Sequence, residues 1–255
     1  MAVKTAVVTG ASKGIGLAVA RALEADGFRV AGAARTITPE LKEAATLPVA
    51  VDLSTPAGPA ELIEQVSAEF GGIDVLVNNV GAFTPRTSGF SAISDEEWQH
   101  TFELNFFGVV RTIRAALPGL VERQGAIVNV SSARARGPQP PTSDYGAAKA
   151  ALTNLSKALS MELGPKGVRV NTVSPGPTRT PAWLDSDGFG AGLAAASGKS
   201  LEEFLEGFPA AAGLTTGRLT EPEEVAEIVR LLASGRARAV NGSDFVIDGG
   251  QLKTI

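Results

Sequence analysis

The chain has no cysteine, which removes disulfides, thiolate metal sites and cysteine nucleophiles from consideration. Its single histidine, His100, leaves too few imidazoles for a zinc cage or a Ser-His-Asp relay, and its polar helical setting reads as surface. No metal is expected. Basic residues are in the minority, 23 Lys and Arg against 27 Asp and Glu, for a net charge of -4. A phosphate backbone would demand a cationic face, so no nucleic-acid partner is expected. No uninterrupted apolar run approaches the roughly 18 residues needed to cross a membrane, and no repeat or low-complexity spacer interrupts the chain.

What the chain has is length and alternation. Its 255 residues, 44% hydrophobic, can bury a large core and read as one domain over 1–255. Short β-branched runs at 3–9, 29–34, 48–52, 75–77, 126–130, 168–173 and 245–247 read as strands. Between them, Ala/Leu/Glu-rich stretches at 17–25, 59–70, 95–116, 145–163 and 222–232 read as helices. The early runs are apolar on both faces, as strands covered by helices on both sides must be. The alternation predicts a doubly wound, seven-stranded parallel α/β sheet, whose ligands bind beyond the carboxyl ends of the strands. The Gly/Ala-rich stretch at about 181–216 breaks the rhythm and reads as a lid over the site. Ala2 to Thr9 reads as a strand starting almost at the first residue, which leaves no room for a leader and makes the cytosol the expected setting.

The first strand runs into Thr9-Gly10-Ala11-Ser12-Lys13-Gly14-Ile15-Gly16 and then a helix. Glycines let the backbone turn tightly against a pyrophosphate, and the helix start offers free N–H groups with the positive end of its dipole. The spacing is G-x-x-x-G-x-G; the commoner dinucleotide pattern would need a glycine at Val19. The one tyrosine, Tyr145, stands four residues before Lys149, so phenol and ammonium share a helical face. A cation near a phenol favours the phenolate and makes the pair a plausible acid/base unit.

These motifs resemble the short-chain dehydrogenase/reductases, in their short, single-domain, NAD(P)-dependent branch. The resemblance spans the chain and rests on the 9–16 turn, Asp52-Leu53, Asn78-Asn79-Val80-Gly81, Asn105, Ser131-Ser132, Tyr145 with Lys149, Pro175-Gly176 with Thr180, and Val246-Ile247-Asp248-Gly249-Gly250. Val80 departs from the alanine usual at its place. The resemblance implies a Rossmann fold and hydride transfer between nicotinamide and a ketone or secondary alcohol. It makes Tyr145 the general acid/base, Lys149 the group that lowers its pKa, Ser132 the holder of the carbonyl oxygen and Asn105 the anchor of a water in the proton relay. Asn105 could equally tie two backbones together. Gly10, Ser12, Lys13, Gly14, Ile15, Gly16, Asp52, Leu53, Asn79, Val80, Gly81, Pro175, Gly176, Thr178 and Thr180 would contact the cofactor, as would Tyr145 and Lys149. Asp52 reads alternatively as a helix cap.

Cofactor choice turns on the end of the second strand, where an acid would bind the ribose 2′-OH of NAD. Here Ala34 is followed by Arg35, and Arg35 with Lys13 suits a 2′-phosphate, so NADP(H) is expected over NAD(H). Phe83, Trp183, Phe189, Phe204 and Phe208 read as walls for a small, largely hydrophobic carbonyl or alcohol substrate, or as the lid's own core. Arg134 and Arg136 read as contacts to an acidic or acyl-carrier-linked substrate, or as salt-bridge partners. Gly188, Gly190, Gly192 and Gly198 would give the lid mobility. Ala147, Ala148, Ala150 and Ala151 suit either close contact between helices or packing on the sheet, and the resemblance implies a homotetramer. The competing reading is a nucleotide-binding sensor or scaffold without turnover. A sugar-nucleotide epimerase or dehydratase fits less well, because only a helix, a strand and a tail follow Pro222.

Overall fold

Seven apolar runs become the strands β1 Thr5–Thr9, β2 Arg29–Ala34, β3 Leu47–Ala50, β4 Val75–Asn78, β5 Ala126–Val130, β6 Arg169–Pro175 and β7 Asp244–Ile247 in the computed structural model, which describes residues 3–253. They form one parallel sheet in the order β3-β2-β1-β4-β5-β6-β7. The first strand starts later than expected. Pairing begins at Thr5 opposite Arg29, leaving Val3 59% exposed, and Ala2 lies outside the described residues.

Successive strand side chains point to opposite faces, and both faces are covered. Ala6, Val8, Val75, Val77 and Val128 enter one core with Val19 and Leu23 of α1 (Gly14–Ala25). Val7, Leu76 and Ile127, from the same strands, enter the other, together with Val49 of β3. Fully burying each such side chain is worth about 1.5–3 kcal/mol. A short helix absent from the sequence reading, α2 (Pro39–Ala44), starts where the Thr38 hydroxyl accepts the Leu41 N–H and Pro39 opens the first turn. The second core is completed by α3 (Gly58–Phe70), closed by Gly71 at φ 72°.

The expected helix over 95–116 is longer and interrupted. A Ser94/Glu97 capping box starts α4 (Asp95–Phe102), a π-turn follows at Glu103–Phe107, and α5 (Gly108–Glu122) continues. Over Asp95–Glu122 this helix is long and apolar enough by composition to cross a membrane, an 18-residue window of it having a mean hydropathy of 1.2. It is not an uninterrupted apolar run, since Glu103, Arg111 and Arg114 punctuate it, and Val109, Ile113, Ala116 and Leu120 pack into the second core. The 21-residue helix α6 (Ser143–Leu163) lies beside it and buries Leu152 and Leu163 in the same core.

Beyond β6 the lid stretch folds into α7 (Pro181–Leu184), α8 (Phe189–Ala196) and α9 (Leu201–Ala211). The last helix, α10 (Pro222–Ala233), returns to pack Val225, Val229 and Leu232 beside α1 in the first core. The strand order reverses between β1 and β4, so their carboxyl ends open the crevice in which doubly wound sheets hold ligands.

Candidate active site

The glycine turn after β1 is shaped by three constraints. Gly10 and Gly14 sit at φ 66° and 56°, where a side chain would be strained. Gly16 is required for closeness: a Cβ there would lie 2.2 Å from the Gly10 carbonyl oxygen. Thr9 Oγ1 accepts the N–H groups of Asn79 and Val80 at 2.9 and 3.1 Å, and Asn79 Nδ2 donates to the carbonyls of Thr9 and Gly10. The ends of β1 and β4 are thereby tied together. At the start of α1 no side chain caps the first N–H groups and no acidic residue stands in the first turn, so the helix presents an open, positive end.

A cavity of about 460 Å³ lies over these ends and is lined by Gly10, Ser12, Lys13, Gly14, Ile15, Arg35, Asp52, Leu53, Asn79, Val80 and Gly81. Pro175, Gly176, Thr178 and Thr180 complete that part of the wall. Gly16 stands behind the wall and shapes it from there. Lys13 and Arg35 are exposed at the rim. Asp52 forms an Asx turn: its carboxylate accepts the Ser54 hydroxyl and N–H at 2.7 and 2.9 Å. Those bonds, the hydroxyl first, hold its pKa below the ordinary value, with the nearby Arg35 charge adding to them. Asp52 does not cap α3, whose N-cap position is Ala57; the Gly58 N–H goes to the Thr55 hydroxyl at 3.0 Å.

Ser132, Tyr145 and Lys149 line the same cavity. Ser132, two residues past the end of β5, caps a short 3-10 turn, its Oγ accepting the Arg134 N–H at 3.1 Å, so its hydroxyl hydrogen is free to donate. Ser131 turns the other way and bonds the Lys149 carbonyl and Thr153. Lys149 is 2% exposed, donates to the Val130 carbonyl at 2.9 Å and sits 5.8 Å from the Tyr145 ring centroid. Burial pushes its pKa down to about 8. Burial also raises the Tyr145 phenol above its ordinary value; the Ser132 hydroxyl and then the Arg134 charge pull against that rise. The cationic charge that opposes the burial of the phenol is that of Arg134, and Lys149 is itself pushed down by burial.

Asn105 is fully buried in the π-turn and does not line the cavity. Its amide donates to the carbonyls of Ala82 and Thr101 at 2.9 Å, and its oxygen accepts the Ala82 N–H at 3.2 Å. Its side chain thus ties two backbones together. Gly81 makes the fit possible, since a Cβ there would lie 2.9 Å from Asn105 Oδ1 and 3.1 Å from Lys149 Nζ.

The family described as enoyl-(acyl carrier protein) reductase matches residues 10–251. The chain is 34% identical to 3beta-hydroxysteroid dehydrogenase 1 of Eggerthella lenta, over 97% of this chain and 93% of that protein. It is 35% identical to 2,3-dihydro-2,3-dihydroxybenzoate dehydrogenase of Escherichia coli, over 97% of this chain and 96% of that protein. The crystal structure of L-sorbose reductase from Gluconobacter frateurii, complexed with NADPH and L-sorbose, superposes with a TM-score of 0.91 at 35% identity, covering 100% of this chain and 98% of that one. This chain belongs to the short-chain dehydrogenase/reductase family. As a family member it is an oxidoreductase with a Rossmann-type fold.

In this family member the aromatic residues form one connected chain. Tyr145 packs tilted on Phe83 at 5.3 Å, Phe83 edge-to-face on Phe189 at 4.6 Å, Phe189 edge-to-face on Trp183 at 5.0 Å, and Trp183 tilted on Phe208 at 4.6 Å. Phe204 packs behind Phe208 and does not reach the cavity, so it belongs to the lid's core. Gly188 and Gly190 are packing glycines: a Cβ at Gly190 would lie 2.3 Å from the Trp183 carbonyl oxygen. Of these four glycines, Gly192 and Gly198 stand in open space. Arg134 lines the cavity, whereas Arg136 pairs with Asp244 at 2.9 Å, away from it.

One cluster beside the site was not legible in the sequence. Arg86 clamps Asp144 through Nε at 2.9 Å and Nη2 at 2.6 Å, and reaches Glu97 at 2.6 Å. Asp144 also accepts the Thr101 hydroxyl at 2.8 Å and the Tyr145 N–H at 2.9 Å. Burial would raise its pKa, but the bonds from Arg86, Thr101 and Tyr145 together outweigh it and lower the value. Arg86 and Asp144 are 58 residues apart, and the only local signal was an acid at the start of α6. With Asp144 buried, Asp144→Ala should cost about 3–5 kcal/mol in urea unfolding at pH 7, and Arg86→Met/Asp144→Leu together should recover much of it. A carboxylate held below its ordinary pKa stabilises the fold above the unfolded value and loses that contribution as pH falls through the folded one. The wild-type/Asp144→Ala difference should therefore shrink as pH drops below about 4; a constant difference would show that the ion pair is not its source.

Proposed function

We propose that this protein is an NADP(H)-dependent oxidoreductase interconverting a ketone and a secondary alcohol, with Tyr145 as general acid and base. The observation that carries the reading is the convergence of the Ser132 hydroxyl, the Tyr145 phenol and the Lys149 ammonium on the cavity that also contains the open end of α1. The residues present fit a dinucleotide. Gly10 and Gly14 leave a cradle that side chains would fill, the unsatisfied N–H groups suit a pyrophosphate, and two rim cations suit a 2′-phosphate. When bound, the nicotinamide supplies or accepts the hydride.

Lys13 and Arg35 would hold the 2′-phosphate, and Asn79, Thr178 and Thr180, which line the same cavity, would contact the rest of the dinucleotide. Ser132 donates to the carbonyl oxygen of the ketone. Tyr145 delivers its proton to that oxygen as the alcohol forms, and withdraws it in the reverse direction. A phenol kept protonated by burial suits the acid role, and the adjacent Arg134 charge stabilises the phenolate left behind. Lys149, bonded to Val130 and 5.8 Å from the Tyr145 ring, holds a positive charge near the phenol and would bind the nicotinamide ribose. Asn105 acts by position: it fixes Ala82 and thereby the loop carrying Phe83. The aromatic chain ending on Tyr145 favours a substrate with an apolar body. Substrates named for relatives and neighbours range from steroid to sugar, so the class is set by this chain's own wall.

We also propose a homotetramer. β7 is an edge strand with Val246 exposed, and Met161 of α6 and Phe107 beside α5 are 66% and 43% exposed, leaving apolar surface for partners. Of the four alanines, Ala148 is fully buried on its own sheet and Ala147 faces outward, so packing on the sheet claims only part of that stretch.

Tyr145→Phe should lower kcat about 10²- to 10⁴-fold while nucleotide affinity, read by fluorescence, holds; near-wild-type turnover would end the acid/base assignment. In parallel titrations Arg35→Ala should weaken NADPH binding by roughly 10- to 100-fold and leave NADH nearly untouched, as expected for a lost charge-assisted pair. Equal weakening of both would remove the 2′-phosphate role. Light scattering should return the mass of four chains, and a monomer mass would exclude the assembly.

A further inference from the structure

The cavity beside Tyr145 is walled by packed aromatics, and of the two cavity-lining arginines without a carboxylate partner, Arg35 at the exposed rim and Arg134, it is Arg134 that adjoins Ser132 and Tyr145. Arg134 follows Ser132 by two residues, bonds its backbone N–H to the Ser132 hydroxyl oxygen, and packs its backbone against Gly146, the neighbour of Tyr145. Its position is therefore fixed by the residues proposed to handle the carbonyl. Its guanidinium makes one long bond, 3.4 Å from Nη1 to the Gly137 carbonyl. Among the described residues no ion pair includes it, whereas Arg136, two positions on, is paired with Asp244. Arg169, another half-buried arginine without a carboxylate, is held by the Leu232 carbonyl at 2.8 Å. Asp248, the acid whose charge Arg134 feels, already spends its two oxygens on the N–H groups of Gly250 and Leu252 at 2.9 and 2.7 Å. A half-buried cation is costly unless something anionic meets it.

We propose that Arg134 receives a carboxylate of the substrate, which makes the substrate class an oxo acid, or the corresponding hydroxy acid, with an apolar body lying along the Phe83 and Phe189 wall. A guanidinium offers a planar, paired set of donors that matches a carboxylate and excludes its ester. Since Arg134 is anchored through its backbone N–H to the Ser132 hydroxyl and lines the same cavity as Tyr145, the carboxylate lies within a few bonds of the reacting carbonyl. The proposal rests on the Tyr145-catalysed ketone reduction argued above and adds no redox step: hydride and proton still reach the carbonyl carbon and oxygen, and the carboxylate is unchanged.

The test is steady-state reduction by NADPH of 2-oxo-4-phenylbutanoate and 4-oxo-6-phenylhexanoate, each beside its methyl ester, with neutral phenylalkyl ketones run in the same series. Wild-type enzyme should prefer at least one acid over its ester by about 10- to 100-fold in kcat/KM. Arg134→Gln should collapse that ratio, chiefly by raising KM for the acid, and Arg134→Lys, which keeps the charge without the planar fork, should recover part of it. A merely structural role would lower acid and ester together, with Lys no better than Gln, and that result would overturn the proposal. Reduction of esters or neutral ketones with no preference for acids would overturn it too, while leaving the Tyr145 reading intact. No reduction of any compound would overturn both.

Discussion

The junction between the ends of β1 and β4 is the constraint on which the site depends. One hydroxyl, Thr9 Oγ1, takes two backbone N–H groups from the neighbouring strand end, and the Asn79 amide returns two bonds to the β1 end. Gly16 lets α1 press onto that junction, aiming the open helix end into the crevice. From the same junction the chain runs through Gly81, which lets the buried Asn105 and Lys149 approach together, and on to Phe83 against Tyr145. Phosphate cradle and proton-transfer residues are thus positioned from one point, so a shift there would be felt at both ends of the cavity.

Burial sets the electrostatics. Lys149 and Tyr145 lie on one helical face, but taking both from water lowers the ammonium's pKa and raises the phenol's. The charge that offsets this comes from Arg134, on a different element. The buried Arg86–Asp144 pair works alongside: it fixes the start of α6 by gripping the residue before Tyr145, and through Thr101 it joins the helix that carries Asn105. Such a pair contributes little net stability over an apolar replacement, yet losing one partner is expensive, which favours a single geometry at this corner.

The lid is built differently from a floppy flap. Two of its glycines serve close backbone packing, and its aromatics form a ladder anchored on the tyrosine. The freedom left at Gly192 and Gly198 lies in the middle of α8 and just past its end.

Composition and periodicity determined the sheet, its seven strands and the glycine turn, while Ser132, Tyr145 and Lys149 were picked out by the resemblance to the family. These are local: doubly buried strands read as apolar runs, glycines mark positions only glycine tolerates, and a four-residue helical spacing fixes a shared face. The tertiary structure decided what depends on partners distant in the chain. Asn105 and Gly16 moved behind the cavity wall because each is consumed by backbone from another strand end, and Phe204 withdrew into the lid because Phe208 shields it. Asp144 met Arg86 across 58 residues, and of two adjacent-looking arginines one was neutralised by Asp244 while the other was left facing the cavity. A sequence specifies which charges exist; only packing determines how far each is desolvated and which opposite charge comes within reach.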